Sequence, residues 1–549
     1  MFELWRVRVD GGDGRVMYGE HYSDIWSINR LHFKASSPQF CDHFHDGLGF
    51  LTSHSLLSNT FEHSLQQVNP KLTLPYWDFT IESSSAGADA ADAEGLEDVF
   101  GAAIKSPLLQ ESWFGTADPT TNMVKDGRWA STPVPSVREN NPGHVEADMY
   151  SKLRSPWVMN DRPFLTRGMG QVCNAHAEEL YPWPTCEMHY NLVTSFSSFY
   201  SWVWESMYDP HGTVHIWIGG VLDCEETYAS EIEELVGKET ARDLALLAFV
   251  HRKDMFRAKI FSCNGSASAT ESPDEVPEAG VCGCHGYDLT QGDDYLKIFE
   301  KLVGVADLMA GTDEDTKRKM VATLCSSRVT DGDHLQSSSS LDPSFWPSHP
   351  AVERLWMYTM LTGRMTDLSW PDSGATLVAS DGKTYQESIS KYSDECIGHR
   401  GSDVFPFDLL SGDVKDFTVQ TGIRGNPKGG GNILTNREVL EAMDPRINGL
   451  SYVYDTFDWK HCEADGFDMR DALVSLGDTE RAPAAGAGTA AAPPRHETPS
   501  SSHRQSINGR TVFEKGALRF PMYSALEEKI ADLQARNRSR EMAQKRPFS

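Results

Sequence analysis

The histidines constrain this chain more than any other residue type. Five of its 19, His32, His43, His45, His54 and His63, crowd into one short stretch near the beginning. Two more, His211 and His215, stand four residues apart in PHGTVHIWIGG, so on a helix they share a face and can converge on one ion. A lone His349 sits in LDPSFWPSHPAVERLW, at the head of an expected helix. Neutral imidazole is the commonest protein ligand for copper, zinc and iron, so these spacings point towards metal chemistry. Each also has a plainer reading. One H-x3-H pair arises by chance among so many histidines, His349 between Trp346 and Trp356 suits a packed core, and the first cluster suits a solvated face.

The surrounding composition narrows the class. With 39% hydrophobic residues and 14 Trp in 549 positions, the chain can bury a large core. Its 50 Lys+Arg against 79 Asp+Glu leave a net charge of −29, which repels phosphate backbones and anionic lipid, so neither nucleic acid nor membrane is an expected partner. The start, MFELWRVRVDGGDGRVMYGE, has no apolar secretory core, and no segment is long enough to span a bilayer. The expectation is a soluble chain, intracellular as it stands. Ten Cys are too sparse for a scaffold built on disulfides.

Leu57, Phe61, Leu65 and Val68 recur with helical spacing after a Thr52-Ser53 capping signal, and Pro70 ends the pattern, which puts His54 in a first helical turn. LTLPYWDFT reads as an extended turn, residues 83–97 as a surface loop, and residues 100–180 as irregular structure on a helical core. Further helices are expected over about Leu192 to Glu205 and about Pro350 to Leu361, with Asp342-Pro343 as a cap upstream of the second. Between them, about 223–340, lies an apparent insertion with its own helices near 229–258 and 294–325. The Pro/Ala/Gly/Ser composition of 479–510 reads as a disordered linker, and 511–549 as a C-terminal tail with a charged helix near Tyr523 to Lys545.

The sequence around the histidines carries more than spacing. HDGLGFLTSHSLLSNTFEHSLQQVNPKLTLPYWDF resembles the copper A region of tyrosinases, catechol oxidases and molluscan-type haemocyanins: His45 and His54 nine apart, Phe50, Phe61-Glu62, Leu65 and Leu74 to Asp78. PHGTVHIWIGG resembles the start of that family's copper B region and DPSFWPSHPAVERLW its end. Tyr452-Val453-Tyr454 with Asp455 resembles the Tyr-x-Tyr element that closes its catalytic domain. The resemblance covers about residues 20 to 460. It implies a mainly α fold, with a central antiparallel four-helix bundle holding a dicopper site, extensive irregular loops and few short strands. Residues 1–470 would form the catalytic domain.

Carried over residue by residue, the resemblance makes His45 and His54 ligands of copper A together with an upstream histidine, His32 or, failing that, His21. His211, His215 and His349 would hold copper B. Ser348 stands where the family usually has a further histidine, and Glu353 stands where an Asp is usual. Cys41-x-His43 resembles a pair whose sulfur is joined to a copper A histidine in several relatives. Here the spacing leaves three readings: a thioether to His43, one to His45, or a buried thiol. Cys282-x-Cys284-His285 is open to copper handling or to a disulfide.

The implied cofactor is a pair of copper ions, and the implied partners are O2 and small phenols. The implied reaction is oxidation of o-diphenols to o-quinones, with or without ortho-hydroxylation of monophenols. Phe50, Trp217, Phe345 and Trp346 are candidate walls for such a site. Hydroxylation needs an acid that holds a basic water, for which Glu205 is the candidate catalytic residue. Gly212, directly after His211, has no side chain to help, which favours diphenol oxidation. Reversible O2 carriage with the same ligands is the alternative. A zinc protease is excluded by the absence of H-E-x-x-H.

Overall fold

The computed structural model describes residues 1–9, 12–84, 106–136, 148–264, 281–302, 304–371, 376–378, 384–386, 389–392, 395–405, 434–447, 452 and 454–473. The expected linker at 479–510, the tail at 511–549 and most of the 83–97 loop lie outside them.

The fold is mainly α, with long irregular connections and strands of only two or three residues. Helix α1 (Ile25–Ser36) starts where the Asp24 carboxylate accepts the Ser27 N–H at 2.8 Å. Helix α2 (Phe50–Val68) ends before Pro70 as expected but begins earlier than the capping signal suggested. Thr52 and Ser53 lie inside it and turn their hydroxyls back onto the carbonyls of Gly49 and Phe50, as mid-helix Ser and Thr often do. The single helix expected over Leu192 to Glu205 is two: α3 (Cys186–Ser195), capped by Thr185, and α4 (Phe199–Ser206), capped by Ser198. Ser198 accepts the Ser201 N–H, and that local bond competes with helix continuation through residues 196–198.

After α4 the chain widens through Met207–Gly212 and leaves helical geometry at Asp209 (φ −124°, ψ 115°). The residue before a proline is disfavoured in the helical region, so Pro210 accounts for the kink. Helix α5 (Thr213–Gly219) follows. The insertion contains α6 (Lys238–Leu246), α7 (Ala248–Arg257) and α8 (Glu314–Ser326). Helix α9 (Phe345–Thr362) starts five residues before the expected Pro350, because Asp342 accepts both the N–H and the hydroxyl of Ser344 just upstream. His349 is therefore in the second turn of α9, not at its head.

A four-stranded sheet explains how so long an insertion leaves its flanks undisturbed. In it β1 (Gln171–Val172) pairs with β2 (Ala175–His176) and, in parallel, with β3 (Val221–Leu222). A hairpin-like pair, β4 (Ser262–Asn264) and β5 (Val281–Gly283), lies within the insertion. Strand β6 (Thr330–Asp331) then returns antiparallel beside β3, with Val221 opposite Asp331 and Leu222 opposite Thr330. The insertion thus leaves and re-enters at adjacent strands, and loop-closure entropy grows only slowly with the length between. The return needs Gly332, whose added Cβ would lie 1.9 Å from the Gly219 carbonyl oxygen.

Two apolar cores support this frame. One unites α1, α2, α4 and α9 through Leu31, Leu57, Phe61, Trp202, Trp346 and Trp356. The other joins the insertion to the rest through Trp77, Trp183, Trp217, Leu244, Phe256 and Met320. Two fully buried bidentate pairs, Arg154 with Asp333 and Arg167 with Asp342, fix the strip that leads into α9.

All ten cysteines are paired: Cys41–Cys396, Cys173–Cys224, Cys186–Cys462, Cys263–Cys282 and Cys284–Cys325. Cys41 is therefore bonded to neither His43 nor His45 and is not a free thiol. Cys282 and Cys284 are disulfide sulfurs, not copper carriers. Among the described residues, no helix is long and apolar enough to cross a membrane.

Candidate metal centre

Helices α1 and α2 and the loop between them bring His32, His54 and His45 together, with their ligand atoms all within 4.8 Å of one another. The widened turn before α5, α5 itself and α9 do the same for His211, His215 and His349. The two groups abut. The His54 and His349 rings stack 4.3 Å apart between centroids, and His211 lies 4.3 Å from His349 and 6.5 Å from His54. His21 is exposed beside Glu20, and neither it nor His63 joins the cluster. His43 turns away, its Nδ1–H donating to the Ile397 carbonyl at 2.7 Å.

Hydrogen bonds set the tautomers. His32 Nδ1–H donates to the Ser337 carbonyl at 2.8 Å, His54 Nδ1–H to Phe50 at 2.8 Å and His215 Nδ1–H to His334 at 2.6 Å. His45 Nδ1 lies 3.0 Å from an Asp42 carboxylate oxygen. A carbonyl oxygen can only accept, so each proton is at Nδ1 and each Nε2 presents a lone pair. The Nε2 atoms of His32, His54 and His349 are buried without a hydrogen-bond partner among the described residues. Those of His211 and His215 face each other at 2.9 Å. Orphaned buried acceptors are costly, and a bound cation satisfies all of them at once.

Electrostatics keep His32, His54, His211, His215 and His349 neutral. Burial, reinforced by the neighbouring His45, lowers His32 to about 3. Burial and then neighbouring imidazoles hold His54, His211 and His349 well below the ordinary histidine value, and burial followed by His334 does the same for His215. Uncharged nitrogen donors without thiolate or carboxylate in the inner set suit copper or zinc.

Phe345 lies under both groups, with its centroid 4.2 Å from His349, 5.2 Å from His32 and 6.0 Å from His215. Phe50 covers the other side, 4.8 Å from His54 and 5.1 Å from His211. Of the four aromatic walls suggested by sequence, these two face the histidines. Trp346 stacks on Phe61, and Trp217 packs against Trp183 and His176. A cavity of about 220 Å³ opens onto His45, His211 and His215 between Phe50, Trp204 and Tyr208. Glu205, exposed in the last turn of α4, stands on its rim, and Gly212 forms part of its wall.

Three residues at the site escaped sequence reasoning. Asp42 is three residues from His45, a spacing that marks nothing by itself. Tyr208 donates to Asp46 at 2.9 Å in the cavity wall. His334 is buried with its ring 4.5 Å from that of His215, and only the return of β6 brings it there.

Away from the histidines the remaining motifs act as joints. The Asp78 carboxylate accepts from Arg354, whose guanidinium lies over Tyr76 and Trp459. Glu353 accepts from the hydroxyls of Tyr452 and Tyr454, both at 2.6 Å, so the longer acid in the Asp position is fully bonded.

A family model described as the common central domain of tyrosinase matches residues 20–231, which include His32, His45, His54, His211 and His215. Grixazone synthase of Streptomyces griseus subsp. griseus is 24% identical over 219 residues, covering 35% of this chain and 64% of the relative's length. Residues 20–231 are thus similar to the central domain of tyrosinase, and the paired histidine groups are consistent with that similarity.

Proposed function

We propose that the protein is a copper-dependent polyphenol oxidase that oxidises o-diphenols to o-quinones, with O2 reduced to water. The observation that carries this reading is the convergence of two three-histidine sets beneath a cavity with aromatic walls. His32, His45 and His54 would hold one copper, and His211, His215 and His349 the other. Bound there, the copper pair supplies the two-electron redox chemistry that side chains lack.

The chain's own groups do the rest. Carbonyl-anchored Nδ1–H groups keep the Nε2 lone pairs of His32, His54 and His215 aimed inward. Phe345 and Phe50 exclude water from both sides. The cavity admits a single phenolic ring between Phe50 and Trp204. Two diphenols release four protons and four electrons, which convert one O2 to two waters. Glu205 on the rim is the proposed acid for holding a proton-accepting water. With no side chain at Gly212 to orient that water, diphenol oxidation is favoured over monophenol hydroxylation. A cavity open to a ring supports oxidation over simple O2 carriage. Five disulfides support an oxidising compartment, against the intracellular expectation.

The test is copper content together with O2 uptake. The purified chain loaded with copper should hold two ions and consume O2 with catechol, but yield no product from 4-methylphenol even after a long lag. A chain that binds no copper, or binds two and leaves catechol untouched, overturns the reading.

A further inference from the structure

Five of the six converging histidines lie on helices or on the turn that enters one; His45 alone rides on an irregular segment, residues 37–49. That segment is strapped to residues 389–399. Cys41 is bonded to Cys396, His399 Nε2–H donates to the Asp42 carbonyl at 2.7 Å, and the Leu48 N–H donates to Ile389. These contacts fix the backbone of the loop, but none of them aims the His45 ring.

The Asp42 side chain does. One of its carboxylate oxygens accepts the backbone N–H of His45 at 2.8 Å and of Phe44 at 3.1 Å, and the same atom lies 3.0 Å from His45 Nδ1. The chain therefore folds back on the carboxylate, and the ring can swing only about a fixed Nδ1. The other oxygen faces Arg257 Nη2 at 3.3 Å and Lys253 Nζ at 3.6 Å, both from α7 of the insertion. Arg257 also donates to the Cys41 and Ser36 carbonyls, so α7 holds the loop and its carboxylate together. The other Nδ1 anchors found here are neutral carbonyls; His45 is held by a charge.

Resting on the dicopper reading above, the geometry points to Asp42 as the positioning residue of the first copper site, aiming the His45 ring into its set, with the insertion supplying the counter-charge. A carboxylate on the far nitrogen of a metal-bound imidazole strengthens the metal bond and fixes its direction. The two coppers are then unequal: the one held by His45 has a charge-assisted ligand, and the other does not. The long excursion between His215 and His349 also acquires a task, since its α7 reaches across to the opposite histidine set.

Stepwise copper(I) titration of the full chain against a chromophoric chelator tests this. Asp42→Asn retains an oxygen that can accept from Nδ1–H but removes the charge. It should weaken one of the two sites about 10–100-fold and leave the other as in the wild type. Lys253→Met removes one of the two counter-charges and leaves Arg257 on the carboxylate, so it should weaken the same site by less than Asp42→Asn does and leave the other as in the wild type, which separates aiming from general destabilisation. Wild-type affinities in Asp42→Asn, or an equal loss in Lys253→Met, overturn the assignment. Failure of the wild-type chain to bind copper at all sinks the dicopper reading first and this role with it.

Discussion

His54 and His349, one from each histidine set, stack 4.3 Å apart with 7° between their planes. Helix α2 supplies one and α9 the other, so the packing of two helices sets the spacing of the two proposed metal positions. Phe345, one turn before His349, presses against the same ring. His349→Ala removes a proposed ligand and this stacking partner together. Copper content should fall from two towards one per chain. Catechol oxidation should fall by more than the roughly 10–100-fold typical of losing a ligand's hydrogen-bond partner. Metal analysis and O2 uptake on the same preparation check both.

Much of this centre is legible in the sequence, and the limits are physical. His211 and His215 share a helical face through local spacing, and His45, His54 and His349 are marked by flanking residues such as Phe50, Trp346 and Leu74 to Asp78. The helix break at 196–198 is less visible, because Ser198 caps only when its side chain turns towards the Ser201 N–H. Pairings across the chain are invisible: Cys41 and Cys396 are 355 residues apart, and nothing near either names the other. Asp42 is hidden for a related reason, since its role depends on Arg257 and Lys253 arriving from the insertion.

The Cys41–Cys396 bond closes the loop that carries His45 against the segment containing His399. Cys41→Ser with Cys396→Ser leaves the hydrogen bonds but frees the chain ends. Unfolding free energy should drop by about 2–5 kcal/mol, as for other native disulfides. The site containing His45 should lose copper more readily than the other. Urea unfolding of the metal-free chain and stepwise copper release measure the two effects separately.

Asp331 gives the fold a pH dependence of definite sign. Burial raises its carboxyl to about 7, against the opposing pull of Arg252, a bond from Trp157 and the charge of Lys253. The folded state keeps this proton to higher pH than the unfolded chain, whose value is 3.8. Its contribution to stability is therefore complete below that value and is lost as pH rises through about 7. Asp331→Asn removes the titration and keeps the shape. The variant should gain about 1–3 kcal/mol over the wild type between pH 5 and pH 8. Parallel unfolding curves at the two pH values decide it; a constant difference would dismiss the idea.

Glu353 locks α9 to the far end of the domain by accepting two tyrosine hydroxyls, one on each carboxylate oxygen. Burial raises its carboxyl, while the two hydroxyls oppose that shift by stabilising the anion. In Glu353→Gln one oxygen becomes an amide NH2, so one of Tyr452 and Tyr454 must turn from donor to acceptor. The loss should be about 1–2 kcal/mol. Glu353→Ala strands both hydroxyls in the interior and should cost more than the amide does. Tyr452→Phe made in the Glu353→Gln background should cost less than in the wild type, because the bond it removes is already weakened. Denaturant unfolding of the four proteins in that cycle measures the coupling. Strictly additive losses would mean that Tyr452 stabilises the fold through its ring packing and not through Glu353.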